Sequence, residues 1–116
     1  MVKLKFGMII YIDIDDTICN TPDTSDYSKS FPIIENIEKA NALYDQGHSI
    51  IYWTARGTQS GKDWSSLTKD QLKSWGVKYD NIVFGKPYYV VFIDDKNINV
   101  LNFHNFFTKL NQKYAK

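Results

Sequence analysis

With one cysteine, Cys19, the chain cannot form an internal disulfide, which fits a reducing compartment better than a small secreted scaffold. Long hydrophobic runs are missing too. Nothing approaches the length that spans a bilayer, and the opening Met-Val-Lys-Leu-Lys leads into a strand-like segment with no signal-peptide pattern, so a cytoplasmic protein with no membrane partner is expected. Neither sign of charge dominates: 14 basic and 13 acidic residues leave +1 at neutral pH. That balance offers no electrostatic footprint for nucleic acid and favours a short substrate over a polyanion. At 116 residues there is no room for a second domain of ordinary size, and 1–116 reads as a single domain. Aromatic residues are the excess, at 16% with three tryptophans and eight tyrosines, so some are expected to line a pocket or a subunit contact.

Two carboxylates stand where an apolar run ends. Met8–Ile12 has the composition of a fully buried parallel strand and gives way to Asp13 and Asp15. The period of a strand lets Asp13 and Asp15 project to one side while Ile14 turns back to the core. Ligand sites of open α/β sheets lie just beyond such strand ends, and two like charges so close need a proton, a cation or both between them.

Polar residues and proline over 18–32 predict a loop or tight flap that starts at this site. From Pro32, apolar residues Ile33, Ile34, Ile37, Ala40, Leu43 and Tyr44 recur at helical spacing until Gly47 stops them. A second strand, Ser49–Trp53, runs out into Thr54-Ala55-Arg56-Gly57, and a helix over Ser65–Trp75 ends at Gly76. A third strand at Ile82–Phe84 is followed, after Gly85-Lys86-Pro87, by a fourth at Tyr89–Ile93 that ends in Asp94-Asp95. A closing helix from about Asn102 carries Phe103, Phe106, Phe107 and Leu110. Such alternation predicts an α/β fold: one Rossmann-like three-layer domain, mainly parallel, with helices on both faces and connections too short for a cap domain. The carboxyl edge would then gather Asp13, Asp15, Thr54, Arg56, Asp94 and Asp95.

Several acidic groups with a hydroxyl and one or two cations suit phosphoryl transfer assisted by Mg2+. An ionised Asp can attack phosphorus, while a second carboxyl gives a proton to the leaving oxygen and later takes one from water.

Asp13-Ile14-Asp15-Asp16-Thr17 resembles the first motif, Asp-x-Asp-Gly-Thr, of the haloacid dehalogenase-like phosphatases. Tyr52-Trp53-Thr54 resembles their second motif and Ile93-Asp94-Asp95 their acidic fourth, so the likeness runs over about residues 8 to 100. Thr54-Ala55-Arg56-Gly57, Gly85-Lys86-Pro87 and Ile93-Asp94-Asp95-Lys96 together resemble small capless members associated with capsular polysaccharide biosynthesis. The resemblance implies Asp13 as nucleophile, Asp15 as general acid/base, Thr54 as holder of the phosphoryl group and Lys86 as its neutralising cation. It implies Mg2+ held by Asp13, Asp15, Asp94 and Asp95. Asp16, Thr17, Ala55 and Arg56 are expected beside phosphate or substrate, with Tyr27 and Trp64 stacking on it from the flap and the 58–64 loop. Asp16 stands where the family has Gly, and Asp tolerates the left-handed region better than most residues.

The activity implied is hydrolysis of a small phosphomonoester, a sugar phosphate of polysaccharide synthesis being the narrower expectation, through an aspartyl-phosphate. Two alternatives stay open: a nucleotide or nucleic-acid-end phosphatase, and a non-catalytic sugar-phosphate-binding module. Capless members often associate, so a homo-oligomer joins the phosphorylated metabolite as an expected partner. Lys86 depends on topology. If strands three and four are parallel, the chain must cross the sheet in about five residues, roughly 15 Å of reach. A hairpin there would leave the positive charge to Lys96 or Arg56. Gly57–Asp63 only imitates a phosphate loop, being one residue short between its glycines and lacking the terminal hydroxyl. His48 and His104 lack zinc-ligand neighbours.

Overall fold

The computed structural model describes residues 7–89 and 91–114. Three parallel strands form its sheet: β1 (Ile9–Ile12), β2 (Ser49–Thr54) and β3 (Asn81–Phe84), side by side in that order. Ile9 lies opposite Ser49, and Ile51 opposite Asn81, so the strands end together at one carboxyl edge. Each crossover carries a helix, α1 (Ile34–Asp45) between β1 and β2 and α2 (Ser65–Ser74) between β2 and β3. A last helix, α3 (Phe103–Tyr114), closes the described chain. This is a small Rossmann-like α/β domain, as the alternation implies. Among the described residues no helix is long and apolar enough to cross a membrane.

Gly47 and Gly76 follow α1 and α2 at φ 101° and 71°, so the expected glycine stops use the left-handed backbone that only glycine adopts freely. Ile37, Ala40 and Leu43 of α1, Leu72 of α2 and Phe103 and Leu110 of α3 join Ile12, Ile50 and Tyr52 in one contiguous core. His48 is part of this packing, its Nδ1 accepting from the Met8 N–H at 3.0 Å. On the other side of the sheet Ile9 is 69% and Tyr11 59% exposed. The second helical layer therefore does not reach the outer strand, and β1 is half-buried where full burial was expected.

The flap is better ordered than its composition suggests. Cys19–Asn20 and Phe31–Pro32 pair as a short antiparallel ladder, and the Thr21 and Ser30 hydroxyls meet at 2.8 Å, tying residues 21–30 into a closed tip.

The fourth strand is the main correction. Val90 lies outside the described residues, while Tyr89 and Val91–Ile93 pair with no strand among them, and Val91 and Ile93 are 70% and 92% exposed. β3 lies at one side of the sheet and the free edge of β1 at the other. The short link after Lys86 would have to cross two strands as well as descend the sheet.

Candidate active site

Asp13 sits one residue past β1, its Oδ1 accepting from the Ile14 N–H at 2.9 Å. Facing it is Lys86, whose Nζ lies 3.6 Å from Asp13 Oδ1 and whose side chain is almost wholly buried. Three contacts place that lysine. Its N–H donates to the Thr54 carbonyl at 3.1 Å, its carbonyl accepts from the Thr58 hydroxyl at 2.8 Å, and its ammonium rests over the rings of Trp53 and Tyr89. Lys86 therefore stands at the carboxyl edge although no fourth strand follows it, while Lys96 is exposed. Partial burial raises the Asp13 carboxyl above its ordinary value; Lys86 and the Ile14 N–H pull it back, and Asp15 adds to the rise.

Asp15 has a different environment. Arg56 grips it, with Nε donating to both carboxylate oxygens at 3.2 and 3.0 Å and Nη2 to Oδ1 at 2.8 Å. The guanidinium is itself fully buried, its Nη1 donating to Thr68 at 3.1 Å and Gln71 at 2.6 Å, and it lies 4.6 Å from the centre of the Tyr27 ring. Sequence reasoning expected Arg56 at a phosphate. The structure turns it inward, because each of its nitrogens already has a partner inside the protein, with Cys19 Sγ at 3.9 Å from Nη2 as the weakest. Oδ1 of Asp15 also accepts from the Thr21 hydroxyl and lies 3.6 Å from Cys19 Sγ. Oδ2 accepts only from Arg56 Nε among the described residues, so it is the oxygen left for proton exchange. Burial pushes the Cys19 thiol up to about 11, which keeps it protonated and unfit as a nucleophile.

Thr54 ends β2 fully buried, its hydroxyl accepting from the Arg56 N–H at 3.1 Å. Asp16 takes φ 59°, the left-handed conformation expected of it, and its Oδ1 accepts from the Thr21 N–H at 3.2 Å. Thr17 is held in the same turn, where its N–H donates to the Ile14 carbonyl. Ala55, half-buried, closes a turn through its carbonyl to Thr58. Tyr27 and Trp64 meet edge to face at 5.1 Å, so the flap and the 58–64 loop touch each other beside the Arg56–Asp15 pair. Gly57 makes that loop possible. At φ 84° its missing Cβ would sit 2.2 Å from the Lys62 carbonyl oxygen. Below Trp64 a cleft of about 310 Å³ is lined by Arg56, Gly57, Thr58, Lys62 and Gly85. Sequence reasoning missed Thr21, Thr68 and Gln71, which orient Asp15 and Arg56, since lone polar residues inside a loop or helix give no pattern to find.

Asp94 and Asp95 are not brought to this edge. Both are exposed, and among the described residues no group of three or more His, Cys, Asp or Glu could hold a metal ion. Two carboxylates, one facing a lysine and one gripped by an arginine, do not fit Mg2+ unaided.

No protein-family model matches the chain, and no curated protein does. Solved structures do. A structural-genomics target from Vibrio cholerae is 23% identical, with a TM-score of 0.68 over 90% of this chain and 99% of that one. Two chains from structures of the Pnkp1/Rnl/Hen1 complex, described in one as an RNA repair complex, are 12% and 14% identical with TM-scores of 0.55 and 0.57. This chain spans 34% and 36% of their lengths. The likeness is one of fold.

Proposed function

We propose that the chain is a haloacid dehalogenase-like phosphatase of the capless type, acting on a small phosphomonoester through an aspartyl-phosphate at Asp13. The observation that carries this reading is the division of labour between two carboxylates two residues apart, Asp13 open toward Lys86 and Asp15 oriented by Arg56. A carboxylate oxygen of Asp13 attacks phosphorus and the ester P–O bond breaks, giving an acyl phosphate. Asp15, protonated for this step, gives its proton to the leaving alkoxide from Oδ2. Water then attacks the acyl phosphate while Asp15 takes its proton, releasing phosphate and restoring Asp13. Lys86 offsets the phosphoryl charge throughout. A binding module has no use for an acid/base partner so firmly positioned, which disfavours the non-catalytic alternative.

The aromatic pair Tyr27–Trp64 beside the cleft suits a ring-bearing substrate, and a sugar phosphate of polysaccharide synthesis is the narrower proposal. A nucleic-acid-end phosphatase is the second reading, raised by the fold likeness to chains of an RNA repair complex and disfavoured by the neutral charge balance. A screen of phosphorylated metabolites and 3′-phosphorylated oligonucleotides, run on the wild type and Asp13→Asn, separates them. Turnover of a sugar phosphate by the wild type alone is expected. Turnover confined to the oligonucleotides selects the second reading, and equal turnover by both proteins overturns the role of Asp13.

A further inference from the structure

A strong β-forming segment, Val91-Phe92-Ile93, stands exposed and unpaired in front of Asp94 and Asp95. On the same molecule β1 has a strand on one side only, with Ile9 and Tyr11 exposed along it. Exposed apolar strands and open edges are features that folded proteins ordinarily cover. The two would suit each other in register: with Ile93 beside Ile12, Asp94 would arrive level with Asp13.

The segment cannot reach that edge on its own molecule. Lys86 is fixed at the carboxyl edge on the β3 side by its N–H bond to Thr54. From β3 to a position outside β1 is three strand spacings, roughly 14 Å. Val91 would also have to lie about four or five residues lower, roughly 15 Å at the rise of a strand. The straight line between them is therefore about 20 Å and runs through the sheet itself, whereas the five links from Lys86 to Val91 extend at most about 18 Å. A route over the sheet face is longer still. The edge of a second copy carries no such limit.

We propose that two copies of this chain exchange the 91–95 segment, Val91–Ile93 of each adding a parallel strand to β1 of the other. The second copy's Asp94 then joins Asp13 and Asp15 at the carboxyl edge. This resolves the poor fit to Mg2+: the third carboxylate that the ion needs belongs to the neighbouring molecule. The exchange is reciprocal, so one two-fold axis builds two sites. The metal part rests on the phosphatase reading; the exchange rests on geometry alone.

Two measurements test it separately. Tyr11→Cys and Phe92→Cys would face each other across the new strand pair, so a mixture of the two single variants, refolded together and oxidised, is expected to give a covalent heterodimer. A wild type that is monomeric by light scattering, or a mixture that does not cross-link, overturns the exchange whatever the activity. For the shared site, Asp13→Asn and Asp94→Asn are co-expressed and assayed on an aryl phosphate with Mg2+. Each variant alone lacks an intact site, but the mixed dimer regains one, so about a quarter of wild-type activity is expected from random pairing under two-fold symmetry. Cross-linking without restored activity keeps the exchange and overturns the shared site. If the wild type itself turns over no phosphomonoester, the phosphatase reading falls while the cross-link still decides the exchange.

Discussion

Lys86 and Arg56 are the two cations of the site, and they do different things to their carboxylates. Lys86 draws the Asp13 carboxyl down against the rise caused by burial. Removing it leaves the rise unopposed, so Asp13 holds its proton to higher pH. Lys86→Met is expected to move the acid limb of kcat/KM upward in pH, which a pH–rate profile reads directly; an unmoved limb would mean that Asp13 is not the group titrating. Arg56 is a structural cation. Arg56→Ala strips Asp15, Thr68 and Gln71 of their partner at once, and losing half of a largely buried pair costs about 2–4 kcal/mol, somewhat less than a fully buried one because Asp15 stays partly solvated. Urea unfolding measures it, and Arg56→Lys is expected to recover little, since an ammonium cannot reproduce the forked contact. At this scale the sequence was readable where chemistry clusters: Asp13 and Asp15 beyond β1, and Asp16 with its left-handed backbone. It was misleading for Arg56, because a cation after a strand end reads the same whether it faces a ligand or a neighbouring carboxylate.

Among elements, periodicity located β1, β2, β3 and all three helices to within a residue or two. It failed at Tyr89–Ile93 for a definite reason. An apolar run reports that a segment would form a strand if paired, and carries no information on whether a partner edge is within reach of its linker. The flap failed in the opposite sense, its two-residue ladder being too short to show alternation. The contact between flap and loop has a functional consequence. Tyr27 and Trp64 hold the two segments together, so Tyr27→Ala and Trp64→Ala are expected to raise KM several-fold and leave kcat much less affected. Unchanged kcat/KM in both variants on the best substrate would remove these rings from the binding site.

For the whole molecule, the fold places a conventional carboxyl edge at the disposal of a chain that carries almost no excess charge and one buried thiol. The core lies on the helical side of the sheet, and the other side keeps Ile9 and Tyr11 open at its outer strand. That asymmetry was not readable from composition, because the count of apolar residues does not say which are left outside. The central claim is nevertheless local: a covalent phosphate on Asp13. Wild type mixed with excess substrate and quenched in acid within the turnover time should show, by intact mass and peptide mapping, one phosphoryl group on the peptide containing Asp13. Asp13→Asn should show none. Steady turnover by the wild type with no trapped phosphoprotein, or a phosphoryl group on another residue, would contradict the account.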